Sequence, residues 1–258
     1  MSPHSSSTRS TTRTSSSLPV RQAARYSTTR RYARRSSTPS TTTRSSRPPS
    51  PVRGKTQGSP IPNGFEGSEG QVLPSYDVDK AKSLLAEAGV PDGFTIASAY
   101  PKFSVYGVDF DVMMQSIQQD LVDVGITLEL QPMEYTQWAE LIAGEGTPIT
   151  AVYFAPDHTD SSQYASYFGM MPSSPWSLSA SVDGPVVNQA EVDSLAKALT
   201  ESGADRTATY TELGKQMAGD LIILPIVNPQ LVLAHASDIT GVAYSPCCNL
   251  DLSTLGVK

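Results

Sequence analysis

From Tyr76 onward the apolar residues recur at intervals that switch between helical and strand spacing. Ala81, Leu84, Leu85 and Ala88 share one helical face, with Asp77 ahead as N-cap and Gly89 behind as a stop. Phe94 and Ile96 then alternate with Thr95 and Ala97, which predicts a short strand. Ser98 breaks the alternation, and the strand is expected to end before Pro101. Phe110, Met113, Met114, Ile117, Leu121 and Val124 follow i, i+3/4, i+7 spacing with polar residues opposite, the clearest helix in the chain. Gly125 ends it, and residues 126–130 read as a strand facing one way through Ile126, Leu128 and Leu130. Tyr135 to Ala143 predicts a short helix around Trp138 and Leu141, and the apolar run 149–154 predicts a strand buried on both faces.

Further along, residues 171–185 form a Ser/Pro-rich loop. Two helices follow: 191–200, with Val192, Leu195 and Leu199 on one side, and 205–221, with Tyr210, Leu213, Met217 and Leu221. Strands are expected at 222–227 and 231–236, then an irregular end. Alternating β and α elements predict an α/β lobe.

Charge divides the chain. Residues 1–55 hold eleven Arg and one Lys with no Asp or Glu, about +12, while the remaining seven cations face all 25 acids, about −18. The first segment is built largely from Ser, Thr, Arg and Pro. It cannot bury enough apolar surface to offset its chain entropy and reads as a disordered basic tail. Three roles stay open for it: non-specific phosphate binding, a transit peptide, or an extension unrelated to the rest. Residues 56–75, rich in Gly, Ser and Pro, read as a loop leading into a domain over 76–258.

Several classes of chemistry are disfavoured. The first 60 residues contain no apolar core of a secretory signal, and no run approaches the roughly 20 apolar residues of a membrane span. Cys247 and Cys248 are adjacent, a geometry that strains a disulfide, and two ligands cannot complete a structural zinc site. A nucleophile elbow, P-loop, dinucleotide glycine fingerprint and zincin motif are all missing, so the chain does not read as an enzyme.

Four segments in order carry a resemblance. YDVDKAKSLLAEAGVPDGF (76–94) resembles a Tyr-Asp-x-x-Lys-Ala-Lys-x-Leu-Leu-x-Glu-Ala-Gly segment followed by Gly-Phe. IQQDLVDVGITLELQPMEYTQW (117–138) resembles a Gln-x-Asp-Leu-x-x-x-Gly-Ile helix–strand unit. VYFAPDHTDSSQY (152–164) is similar to a Trp-x-x-Asp-x-x-Asp-Pro strand end. DRTATYTELGKQMAGDLIILPIV (205–227) is similar to an Arg-x-x-x-Tyr-x-x-x-Gln helix running into an Ile-Pro strand, and GSPIPNGFEG (58–67) resembles the loop before the first segment. Together they resemble the C-terminal lobe of the family 5 extracellular solute-binding proteins, the peptide/nickel-binding receptors of ABC importers. Two departures stand out: Tyr153 or Phe154 replaces the Trp, and Asp160-Ser161 replaces Asp-Pro.

The resemblance implies lobe III of a type II periplasmic-binding-protein-like fold, with residues 222–258 returning toward a lobe I that has no counterpart here. It implies a substrate-binding role, capturing oligopeptides or similar solutes in a cleft between lobes I and III. Asp157 matches the acid that pairs with a ligand's α-ammonium, and Asp160 the acid of the following Asp-Pro. Both could instead cap a turn or the next helix. Trp176 is a candidate cleft or interlobe contact, whereas Trp138, Tyr153, Phe154, Tyr164 and Tyr167 suit either a cleft or a core. His158 beside Asp157 raises metal binding, with an exposed histidine as the plainer account; neither metal nor cofactor is expected. The implied partners are a short peptide or related solute and a membrane permease, with a monomeric receptor in the periplasm or outside the cell. Nucleic acid enters only through the tail. A remnant without binding activity is the competing account.

Overall fold

The computed structural model describes residues 54–71, 75–179, 185–220, 222–245 and 249–258. Helix α1 (Val78–Glu87) starts where Asp77 accepts the Lys80 N–H at 2.8 Å and stops at Gly89, whose φ of +79° a side chain would resist. Strand β2 (Phe94–Pro101) follows. A hairpin of β3 (Ser104–Val105) and β4 (Val108–Asp109) leads into α2 (Phe110–Val122), with Asp109 capping it through the Val112 N–H. The strand β5 (Ile126–Met133) pairs with β2 in parallel, Phe94 against Ile126 through Pro101 against Met133.

Both strands outrun their sequence limits. Ser98, which breaks the apolar alternation, is fully buried on the same side as Ile96 and Tyr100, so a small polar residue occupies an inward position. Pro101 and Pro132 fall at the ladder's end, where a missing N–H costs least. Glycine matters at one crossing. A Cβ on Gly93 would lie 2.0 Å from the Gly125 carbonyl oxygen, and both residues have positive φ. This is what lets α1 and α2 deliver the two strands side by side.

The expected strand at 149–154 does not form. It touches the sheet at one parallel bridge, Ser98 to Ile149, and the Thr147 hydroxyl accepts the Ala99 N–H at 3.2 Å. The cause is a division of its side chains between two cores. Ile149 and Ala151 pack into the cluster of α1, α2, β2 and β5, while Val152 and Phe154 turn to a second cluster.

That second cluster is helical. It joins α3 (Tyr135–Ala143), α4 (Ser161–Phe168), the short α5 (Pro175–Ser179), α6 (Gln189–Ala198) and α7 (Gly203–Asp220). The 171–185 loop therefore contains a helical turn; residues 180–184 lie outside the described residues. Leu199, expected on the inner face of its helix, is instead 61 % exposed, because α6 ends at Ala198. Folded structure also begins before Tyr76. Ile61 is 1 % exposed, Phe65 meets Tyr164 edge-on at 4.9 Å, and Gly67 lies so close to Tyr210 that a Cβ would come within 2.4 Å.

At the chain ends, residues 1–53 and the two cysteines lie outside the described residues. Gly54–Lys55 (β1), assigned to the tail by composition, pairs antiparallel with Asn228–Pro229 (β6). Neither 222–227 nor 231–236 is a strand. Ile222 and Ile223 pack on the helical core and Ile226 and Val227 on the sheet core, but Val232 is 67 % exposed. A strand needs a hydrogen-bonded neighbour, and among the described residues no strand pairs with 231–236. A last small ladder joins Ile239–Thr240 (β7) to Gly256–Val257 (β8). Among the described residues no helix is long and apolar enough to cross a membrane.

Candidate functional site

β2, β5 and the 149–154 segment run parallel, so all three leave the sheet at the same edge. Open α/β sheets place ligands at this carboxyl edge. Aromatic rings gather there: Phe103 lies 6.1 Å from Tyr135 and 5.6 Å from Tyr153, and Tyr106 lies 6.2 Å from Tyr153. Phe103, Tyr106 and Tyr135 were not singled out from the sequence. A helical or strand period assigns no role to residues just past a strand end.

Asp157 follows Tyr153 by four residues and is exposed. Gln163, on the first turn of α4, holds it twice: its Oε1 accepts the Asp157 N–H at 2.9 Å, and its Nε2 donates to Asp157 Oδ2 at 3.3 Å. A neutral amide thus orients the carboxylate without cancelling its charge. Among the described residues no cation pairs with Asp157.

Asp160 is used differently. Its Oδ1 accepts the Ser162 N–H at 2.8 Å, which caps α4, and its Oδ2 pairs with Arg206 Nη2 at 2.7 Å. Arg206 also pairs with Glu66, contacts the Tyr210 hydroxyl at 3.3 Å and lies 4.8 Å from that ring. Thr207 donates to Glu66 at 2.8 Å, and the Ser161 hydroxyl donates to the Glu66 carbonyl at 2.6 Å. Burial alone would raise the Asp160 carboxyl, but the Ser162 hydrogen bonds and the Arg206 guanidinium outweigh it and hold it below the usual carboxylate range. Both oxygens are committed within the chain, so the helix-capping alternative describes its contacts. Arg206 and Glu66 were missed as a pair because they stand far apart in sequence.

Trp176, a candidate cleft contact, is 8 % exposed and packs in the helical core with its ring 6.2 Å from Tyr167. It lines no open surface here, because α5 folds it inward. Tyr164 and Phe154 also serve the core, at 5.1 Å from one another, and Tyr167 stacks on Phe154 at 4.5 Å. The Trp138 indole donates to Thr150 at 2.8 Å. His158 is exposed, and among the described residues no three His, Cys, Asp or Glu side chains are grouped to hold a metal.

The family model of bacterial extracellular solute-binding proteins, family 5 Middle, matches residues 20–173, and the chain belongs to this family. The match takes in residues 20–55, which composition alone had set apart. The glutathione-binding protein GsiB of Salmonella paratyphi A is 30 % identical over 185 residues, and GsiB of Escherichia coli is 29 % identical. Each alignment covers 66 % of this chain and 34 % of the relative, so the chain spans about a third of the curated relatives' length. Among solved structures, the periplasmic binding protein DppA from Helicobacter pylori, in complex with the peptide STSA, superposes with a TM-score of 0.74 at 18 % identity. That superposition covers 94 % of this chain and 44 % of DppA. A dipeptide-binding protein from Pseudoalteromonas, in complex with Met-Leu, gives 0.74 at 20 % identity, covering 93 % and 45 %. These superpositions place the α/β lobe in the periplasmic-binding-protein fold.

Proposed function

We propose that this chain forms one wall of the capture cleft of a solute receptor serving an ABC importer, and that it takes short oligopeptides by their amino end. The observation that carries the reading is Asp157: an exposed carboxylate at the parallel sheet's carboxyl edge, oriented by Gln163 and paired with no cation among the described residues. An α-ammonium drawn from water into a closing cleft needs a charged acceptor, and lower local dielectric strengthens the pair. Backbone hydrogen bonds to an extended ligand would supply most of the affinity, as edge-on peptide recognition does elsewhere. Asp160 then serves the fold, and Trp176 supports the lobe from within. The role is capture rather than catalysis, by a monomer that docks on a membrane permease in the periplasm or outside the cell. Peptide complexes among the solved neighbours support the ligand class.

Calorimetry of the chain with Ala-Ala-Ala and its N-acetylated form tests this. The free amine should bind at least tenfold more tightly than the acetylated peptide. Equal affinities would remove Asp157 from the ligand's amino end, and no heat with either would favour a lobe without binding activity of its own.

A further inference from the structure

The carboxyl edge of the sheet carries more apolar surface than a solvent-facing edge needs. Tyr135 and Tyr153 are 58 % and 47 % exposed, and with Tyr106 they belong to neither core. Their arrangement is nonetheless fixed. Phe103, which contacts Tyr135 and Tyr153, is stacked on buried Phe110 at 4.9 Å. Tyr106 sits at the first central position of the β3–β4 turn with φ +50°, followed by Gly107 at +78°. Such two-residue turns favour Asn or Gly at that position, and an aromatic residue there carries a backbone cost. The turn therefore does not explain the ring. The Tyr106 hydroxyl donates to Asn249 Oδ1 at 3.0 Å, anchoring it from the C-terminal segment.

We propose that Tyr106, Tyr135 and Tyr153, backed by Phe103, form a specificity subsite for a bulky apolar or aromatic side chain of a short peptide whose α-ammonium is held at Asp157. The inference rests on the reading of Asp157 given above. Charge and apolar surface lie within a short peptide's reach of one another. Tyr153 precedes Asp157 by four positions, a reach of at most about 14 Å, the span of about two to four residues of extended peptide. An anion at one end and exposed rings at the other suit a ligand that is cationic at its amino end and apolar beyond it. Flat, rigid tyrosines supply such contact with little loss of side-chain freedom.

The test is an NMR titration of the full chain, carrying labelled tyrosines, with Ala-Ala-Phe and with Ala-Ala-Ala. The ring resonances of Tyr135 and Tyr153 should move with Ala-Ala-Phe and stay with Ala-Ala-Ala. Ala-Ala-Phe should bind about fivefold more tightly, within the range of aromatic pair contacts. Tyr153→Ala and Tyr135→Ala should each reduce that preference to within about twofold. Equal affinities, stationary rings, or a preference that survives both substitutions would overturn the subsite while leaving the Asp157 reading intact. Failure of both free-amine peptides to bind would overturn both.

Discussion

Two acids three residues apart, Asp157 and Asp160, stand in opposite surroundings. Around Asp157 the chain is open: an amide orients the carboxylate, no described cation neutralises it, and aromatic rings lie on the strand side. Around Asp160 the chain is closed: a capped helix, Arg206 and Glu66 tie the loop over 56–71 to α4 and α7. An oriented charge left unpaired keeps its capacity for a ligand, whereas a paired one has spent that capacity on the fold. Carboxylates on one short turn can therefore serve binding and stability separately.

The largest expected effect lies on the closed side. Arg206→Ala leaves Glu66 and Asp160 half-buried without their cation and should cost about 3 kcal/mol in urea unfolding, less than a fully buried pair because the three side chains keep some solvent. A cost below about 0.5 kcal/mol would make the clamp a surface pair. Next comes a carboxylate that the fold holds at a cost. Glu191 is fully buried, with Oε2 accepting the Met170 N–H at 2.6 Å. Burial, with help from the Asp220 carboxylate and partial opposition from the Met170 N–H, pushes it up to about 8. The folded chain thus keeps a proton that the unfolded chain releases above its ordinary 4.5. The stability present below pH 4.5 is lost as pH rises through about 8. Glu191→Gln should remove this loss and stabilise the chain at pH 9, with little difference at pH 4. Thermal unfolding at the two pH values checks the sign. The smallest stability effect belongs to the open side. Gln163→Ala should change unfolding by no more than about 0.5 kcal/mol while weakening Ala-Ala-Ala about threefold, because Asp157 loses its orientation. A threefold change is readable by calorimetry.

Much of this was legible in the sequence where local rules and packing agree. Asp77, Gly89 and the Phe110–Leu121 stripe mark α1 and α2, and Tyr135–Ala143 is the helix its spacing predicts, since caps and apolar periodicity act within a few residues. Strand limits were less legible. Ser98 is polar yet inward, and 149–154 is apolar yet unladdered, because pairing depends on what lies alongside rather than on the residue itself. The same reason misplaces 222–227 and 231–236. Asp157 and Asp160 were legible as a pair, but not their division. That depends on Arg206, Glu66 and Gln163, whose approach only the folded chain creates. Trp176 reads as a loop residue and becomes core once α5 forms.

The division between the two acids is tested most directly by Asp157→Asn and Asp160→Asn, each measured for urea unfolding and for Ala-Ala-Ala affinity. Asp157→Asn should lower affinity at least tenfold, the loss of a charged hydrogen-bond acceptor, with unfolding within about 0.5 kcal/mol of the unchanged chain. Asp160→Asn should destabilise by about 1 to 2 kcal/mol, since an Asn still caps α4 but cannot pair with Arg206. A loss of affinity confined to Asp160→Asn, with Asp157→Asn binding as before, would contradict the assignment.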